Sequence, residues 1–154
     1  MSTHVPELLF TLRPATAADY QWLWELKRQT MRTYVEDTWG DWDDATQEAF
    51  FRRNFSSETV QIILVEGRKA GLLNLETEPA ETFLANLQIH PDFQHRGLGT
   101  AVLRTLLESG RALQRPIRLQ VLQVNAGALR LYSRLGFSVI KETGTHFIMR
   151  WDPR

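Results

Sequence analysis

The sequence predicts an α+β (mixed α/β) fold, a single domain over residues 1–154 with the order β-α-α-β-β-β-α-β-α-β-β. Three observations predict it. Segments of helical period follow a short first strand, a run rich in β-branched residues comes after them, and helices then alternate with strands to the C-terminus. With 154 residues and 43% hydrophobic content, the chain is long enough to bury a core without disulfide or metal staples.

Leu8-Leu9-Phe10-Thr11-Leu12-Arg13 is a short apolar-rich run closed by Pro14 and reads as the first strand. Thr16 with Asp19 three residues on has the form of a helix N-cap with an acid in the first turn. Tyr20, Leu23, Trp24, Lys27 and Met31 follow at helical spacing, so a helix is expected from about Ala17 to about Tyr34. Asp44-Ala45-Thr46-Gln47 resembles a second capping box, and Ala49, Phe50 and Phe51 give the short helix after it an apolar side. After Ser56-Ser57 the period changes. Val60 to Val65 is a β-branched strand, Glu66-Gly67-Arg68-Lys69 is a hairpin turn, and Ala70 to Glu76 is the returning strand. Pro79 breaks it, and Thr82 to Ile89 completes an antiparallel meander. Gly97 and Gly99 precede a helix carrying Leu98, Val102, Leu103, Leu106 and Leu107, which Pro116 stops. Ile117 to Leu122 is a strand. Asn125 caps a short helix, Ala126 to Leu135, ended by Gly136. Phe137 to Lys141 and Thr145 to Trp151 are the last two strands.

Composition excludes several function classes. Eighteen basic residues balance eighteen acidic ones, so no overall basic field exists to favour nucleic acid as the main partner. No apolar run is long enough to span a membrane. The absence of cysteine removes disulfides, thiolate zinc sites and a cysteine nucleophile, and it fits a reducing compartment. Met1 to Phe10 has no basic region followed by an apolar stretch, so no signal peptide is expected and the expected location is cytoplasmic. Four scattered histidines give no metal-site spacing.

The sharpest local signal is Gln94-His95-Arg96-Gly97-Leu98-Gly99-Thr100, between a strand and a helix. Its two glycines let the backbone turn tightly, so that consecutive N–H groups converge at the positive end of the helix dipole. That is an anion cradle suited to a pyrophosphate, to which Arg96 can add charge. A plain connecting loop carries the same residues as often. The segment is not a P-loop, because Gly99 is followed by Thr100 and Ala101, and it lacks the third glycine and early βαβ unit of a dinucleotide site.

The second signal runs from Asn125 to Phe137. Asn125 suits a helix cap or a hydrogen bond to a ligand amide, and Tyr132 lies about two helical turns further along the same face. Tyr132 also suits a core-edge aromatic. Leu131 and Leu135 are spaced to pack inward.

Together the two segments resemble the GNAT superfamily of N-acetyltransferases. The resemblance covers roughly residues 84 to 142. It rests on the strand Leu87-Gln88-Ile89-His90-Pro91, the Gln-x-x-Gly-x-Gly turn at Gln94 to Gly99, the strand before Asn125, and the Ala-Leu-x-Leu-Tyr-x-x-Leu-Gly-Phe run from Ala128 to Phe137. It implies a mostly antiparallel sheet splayed between strands 4 and 5, with helices on both faces. It also implies acetyl-CoA as cosubstrate, with the pantetheine arm in the splay, and no metal. The residues implied at coenzyme A are Gln88, Ile89, His90, Gln94, His95, Arg96, Gly97, Leu98, Gly99, Thr100, Asn125, Ala128, Leu131, Tyr132 and Arg134, with the Gln94–Thr100 amides on the pyrophosphate. The implied catalytic residue is Tyr132, which protonates the departing thiolate.

A lysine-like amine must lose a proton before it attacks. Many family members place a carboxylate on the strand before the turn, yet Leu84-Ala85-Asn86-Leu87-Gln88-Ile89 contains none. Asn86 and Gln88 can orient a water. Glu36, Glu76, Glu78 and His146 remain as bases, beside deprotonation relayed by water. His90 and His95 read as loop histidines unsuited to that role.

The acceptor is expected to be a small-molecule or peptide amine bound by the N-terminal region, with Tyr34, Glu36 and Trp39 as binding residues. Tyr34 to Asp44 holds five acids among three aromatics, a combination that attracts and packs a cation. The alternative use of Asp43, Asp44 and the tryptophans is a helix cap and a core plug. An acetyl-CoA-binding sensor without turnover is the competing function, and a homodimer is left open.

Overall fold

The computed structural model describes residues 9–56 and 58–154. Leu8, the first residue of the expected first strand, and most of Met1–Phe10 lie outside the described residues. The elements follow the expected order: β1 (Thr11–Pro14), α1 (Tyr20–Trp39), α2 (Asp44–Asn54), β2 (Val60–Val65), β3 (Arg68–Thr77), β4 (Thr82–Ile89), α3 (Leu98–Leu113), β5 (Ile117–Leu122), α4 (Ala126–Arg134), β6 (Ser138–Glu142) and β7 (His146–Trp151). The strands form one seven-stranded sheet, β1-β2-β3-β4-β5-β7-β6, antiparallel except where β4 meets β5.

Several boundaries shift by a residue or two, β3 taking in Arg68 and Lys69 from the expected turn, and two differences matter for the site. Pro14 ends β1 from within, pairing with Gln61 at the edge of the sheet, where a missing N–H is tolerated. Helix α1 runs five residues beyond Tyr34 to Trp39 and stops at Gly40, which adopts a positive φ of 98° and donates its N–H to Glu36 O. The apolar stripe explains the extension. Leu23, Lys27, Met31, Val35 and Trp39 recur every four residues and share one face.

Alternation along the strands sends side chains to two layers. Val60, Ile62 and Leu72 pack with Leu23 and Leu26 of α1, and Phe51 and Phe55 join them from α2 and its end. Ile63, Leu73, Leu84 and Leu119 pack on the other layer with Leu98, Val102, Leu103 and Leu107 of α3, and Leu131 and Tyr132 of α4 border that cluster. Full burial of each such aliphatic side chain contributes roughly 1.5–3 kcal/mol. A third cluster, Trp24, Val35 and Trp42, joins α1 to the start of α2. Asp43 caps α2 by accepting from Thr46 N, and Asp44 accepts from Trp42 Nε1 and pairs with Arg28. These acids and Trp42 therefore serve as cap and plug.

Among the described residues, Asp19 is the buried charge of the fold. Its carboxylate receives Arg13 at 2.8 and 2.9 Å and Lys69 at 2.8 Å, and it accepts the Thr16 N–H. The Arg13 guanidinium, with help from Lys69 and Thr16, holds the carboxyl well below the usual carboxylate range, against the effect of burial. The expected first-turn acid thus ties the entry of α1 to β1 and β3.

Candidate active site

Strands β4 and β5 form a V. They pair in parallel only at Thr82↔Ile117, Phe83↔Arg118 and Leu84↔Leu119. Beyond Leu84, β4 keeps its partner on the β3 side as far as Ile89, and β5 keeps β7 as far as Leu122. The edges that face each other across the gap are left without ladder partners. The separation begins where β4 carries an irregularity: Asn74 pairs with Asn86 and Leu75 with Leu84, which leaves Ala85 as an extra, bulged residue.

Charged groups lock the closed end of the V. Arg118 bonds Glu81 at 2.7 Å and Glu78 at 2.8 Å and lies 4.2 Å from the Phe83 ring centroid. Arg115 donates to Thr82 Oγ1 and to the carbonyls of Glu78 and Glu81. Glu78 is therefore engaged far from the open end.

A cavity of about 810 Å³ runs through the open end. On one side α1 lines it with Lys27, Met31, Val35 and Trp39, and α2 with Phe50 and Phe51. Its walls include Ala85 to Gln88 of β4 and Leu119 to Leu122 of β5, and it reaches Asn125, Ala128 and Tyr132 at α4. The three α4-side residues recur at helical spacing. Asn125 caps α4, its side chain accepting from Ala128 N, and it also lines the cavity. Tyr132 packs edge-on against Phe137, and burial pushes its phenol up to about 12, so it keeps its proton at neutral pH.

At the far end of β4 the chain turns into α3. His90 Nδ1 accepts the Asp92 N–H and its ring stacks on Trp22, while Gln94 donates its amide to Ile89 O. His95 and Gly97 have positive φ of 64° and 81°. That conformation turns the backbone into α3, whose N-terminus has no side-chain cap. The amides of Leu98, Gly99 and Thr100 are consequently offered outward at the positive helix end. Gly97 is required by its φ. Gly99 is not, and a Cβ there would meet Ile89 and Leu131 only at an ordinary 3.9 Å. Leu98 turns its side chain into the core. Arg96 and Arg68 both lie over Phe93, at 5.6 and 5.0 Å from its ring centroid, so Arg68 joins Arg96 beside this turn. A hairpin position 28 residues before Arg96 carried no sequence signal for that.

The other expected residues divide. Gln88 is buried and its Oε1 accepts from Thr30 Oγ1, so its side chain is tied to α1. Ile89 borders the α3-side core, Leu131 packs near Gly99, and Arg134 is exposed at the end of α4. Of the acceptor residues, Trp39 lines the cavity and contacts the His146 ring at 6.2 Å. Tyr34 and Glu36 do not line it, and Glu36 pairs with Arg32. Among the four expected bases, Glu76 and His146 line the cavity. Burial lowers the His146 pKa and keeps the imidazole neutral, and its Nδ1 lies 2.7 Å from Thr145 Oγ1. Among the described residues no cluster of three or more His, Asp or Glu could hold a metal, and no helix is long and apolar enough to cross a membrane.

The acetyltransferase (GNAT) family model matches residues 20–137, and the chain belongs to that family. It is accordingly an acyltransferase with acetyl-CoA as its cosubstrate. The fold is similar to that of the PaiA N-acetyltransferase from Thermoplasma acidophilum, solved in complex with coenzyme A (19% identity, TM-score 0.74, 94% of this chain and 99% of that one). It is also similar to the ribosomal-protein-S18-alanine N-acetyltransferase from Escherichia coli (21% identity, TM-score 0.68, 94% of each chain). Ard1 from Thermoplasma volcanium is a further match at 18% identity and TM-score 0.63, over 94% of this chain and 98% of that one. At these identities the likeness establishes the fold. No curated protein matches the sequence.

Proposed function

We propose that the chain transfers the acetyl group of acetyl-CoA to a primary amine by direct attack within a ternary complex. The observation that carries this reading is the parting of β4 from β5 after Leu84, with one cavity running from α1 through the gap to Tyr132. An amide-rich pantetheine arm can pair with the open β4 edge, and the amides of the Gln94–Thr100 turn can hold the pyrophosphate, with Arg96 and Arg68 beside it. The thioester then lies in the gap, and the amine approaches from the α1 and α2 side.

Attack of the neutral amine on the thioester carbonyl forms the C–N bond and breaks the C–S bond. Tyr132 supplies a proton to the departing thiolate, a role for which a phenol held protonated is suited. We assign removal of the amine proton to His146, through water, because burial keeps that imidazole unprotonated at neutral pH. Burial within the cavity is what favours His146 among the four candidate bases. Incubating the chain with acetyl-CoA and a panel of amines, with detection of free coenzyme A and of the acetylated product, tests the reading. Release that requires an amine supports it. Tight acetyl-CoA binding with no transfer to any amine overturns it.

A further inference from the structure

The charge lining the cavity is opposite to the one the Tyr34–Asp44 stretch leads one to expect. Its charged side chains are Lys27, Arg53 and Glu76, joined by the titratable His146 and Tyr132. None of Glu36, Asp37, Asp41, Asp43 or Asp44 lines it. Lys27 comes from the apolar stripe of α1, and its ammonium lies 4.9 Å from the Phe50 ring centroid and 5.9 Å from that of Phe51. Burial alone lowers its pKa, and among the described residues no carboxylate pairs with it. The aromatic faces attract the ammonium, while its partial burial without a counter-ion leaves a charge that an arriving anion would complete. Arg53 lines the same cavity from the last turn of α2, also without an ion-pair partner among the described residues.

A further polar residue of the cavity wall lies on β3. This is Asn74, and its Oδ1 is buried with no donor among the described residues. Asn74 is the cross-strand partner of Asn86, next to the bulge where β4 leaves β5. A cation lacking an anion stands on α1 one turn before Thr30, the residue that contacts Gln88 of β4.

We propose that the acceptor is an amino carboxylic acid whose carboxylate docks on Lys27, with Arg53 adding charge, while its amine reaches into the gap between β4 and β5. This deepens the acetyl-transfer reading above and rests on it. Lys27 is then a specificity-determining residue: it selects acceptors that carry an anion, and it disfavours polyamines by like-charge repulsion.

The test is an acceptor panel of the common L-amino acids and straight-chain ω-amino acids, each beside its own carboxamide, with polyamines and short peptides as further arms. The best acid is expected to exceed its carboxamide in kcat/KM by about tenfold or more, the scale of one charge-assisted contact. Lys27→Met should bring that ratio to about one through KM, with acetyl-CoA affinity by calorimetry unchanged; the ratio is set by the charged contact. Lys27→Arg, which keeps the cation, should retain the preference, and Lys27→Gln provides a second neutral variant. Equal or better transfer to carboxamides, polyamines or peptides overturns the anion site and leaves acetyl transfer standing. A ratio that survives in the neutral variants overturns the role of Lys27. A chain that binds acetyl-CoA yet acetylates no acid in the panel also overturns the proposal, and the polyamine and peptide arms then decide whether acetyl transfer itself survives.

Discussion

Leu84 and Leu119 are the last partners that β4 and β5 share. Both are buried, at 3% and 1% exposure, so their contact is the hinge of the V and part of the core at once. On one side of them the strands are held by Arg115 and Arg118, and on the other they part around the cavity. The rigidity of the closed end is what lets the open end keep unpaired backbone without collapsing.

Tyr132→Phe keeps the ring and its contact with Phe137 but removes the proton. A fall in kcat of about 10²–10⁴-fold is expected, with acetyl-CoA affinity little changed. Because the phenol titrates near 12, the wild-type rate should show no alkaline loss from Tyr132 in the range where most assays run. Steady-state kinetics and calorimetry on the two forms check this, and full activity in the Phe variant would assign the proton to water.

The two glycines of the turn should respond differently. Gly97→Ala places a side chain at φ 81°, a strain of roughly 1–2 kcal/mol, and should lower the thermal midpoint. Gly99→Glu has ordinary room for its Cβ, so the fold should survive, while the carboxylate enters the space offered to the pyrophosphate. Loss of acetyl-CoA binding in a folded Gly99→Glu protein is the expected outcome. Unchanged affinity would remove the turn from the site.

The pH profile separates the bases. Burial lowers the His146 pKa below its ordinary 6.5, so the neutral, competent form persists to lower pH. The acid limb of kcat/KM should therefore lie below 6.5 and should vanish, at a reduced rate, in His146→Gln. A limb that stays in His146→Gln and disappears in Glu76→Gln would transfer the role to Glu76.

Asp19→Asn leaves Arg13 and Lys69 without their anion. Those cations are 38% and 33% exposed and can turn to water, so a loss of about 2–3 kcal/mol is expected. The sign with pH follows from the depressed folded-state pKa. The Asp19 contribution is fully present above the unfolded carboxylate value of about 3.9 and is lost as pH falls from there toward the folded value. Denaturation of both forms at neutral and acid pH should show the gap between them shrinking as pH drops.

Element types, their order, the glycine turn and the Asn125–Tyr132 helix were all legible in the sequence, because each depends on contacts between residues close in the chain. Periodicity marks a helix stripe or a strand, a cap sits three residues from the amide it satisfies, and Gly97 answers to its own φ. The acceptor side was not legible in that way. The sequence of Glu36 to Asp44 suits a ligand surface and a cap with a core plug alike; a helix that continues to Trp39 turns Glu36 toward Arg32, and the packing of α2 engages Asp43 and Asp44 as cap and plug. Lys27 looked like one more member of a helical stripe. Only the crossing of α1, α2 and the parted strands, whose residues are up to about a hundred positions apart, decided that this stripe faces a cavity. Burial, charge pairing and the opening of β4 from β5 are set by that long-range packing, and so the sequence by itself determined the parts while the tertiary structure determined which of them meet.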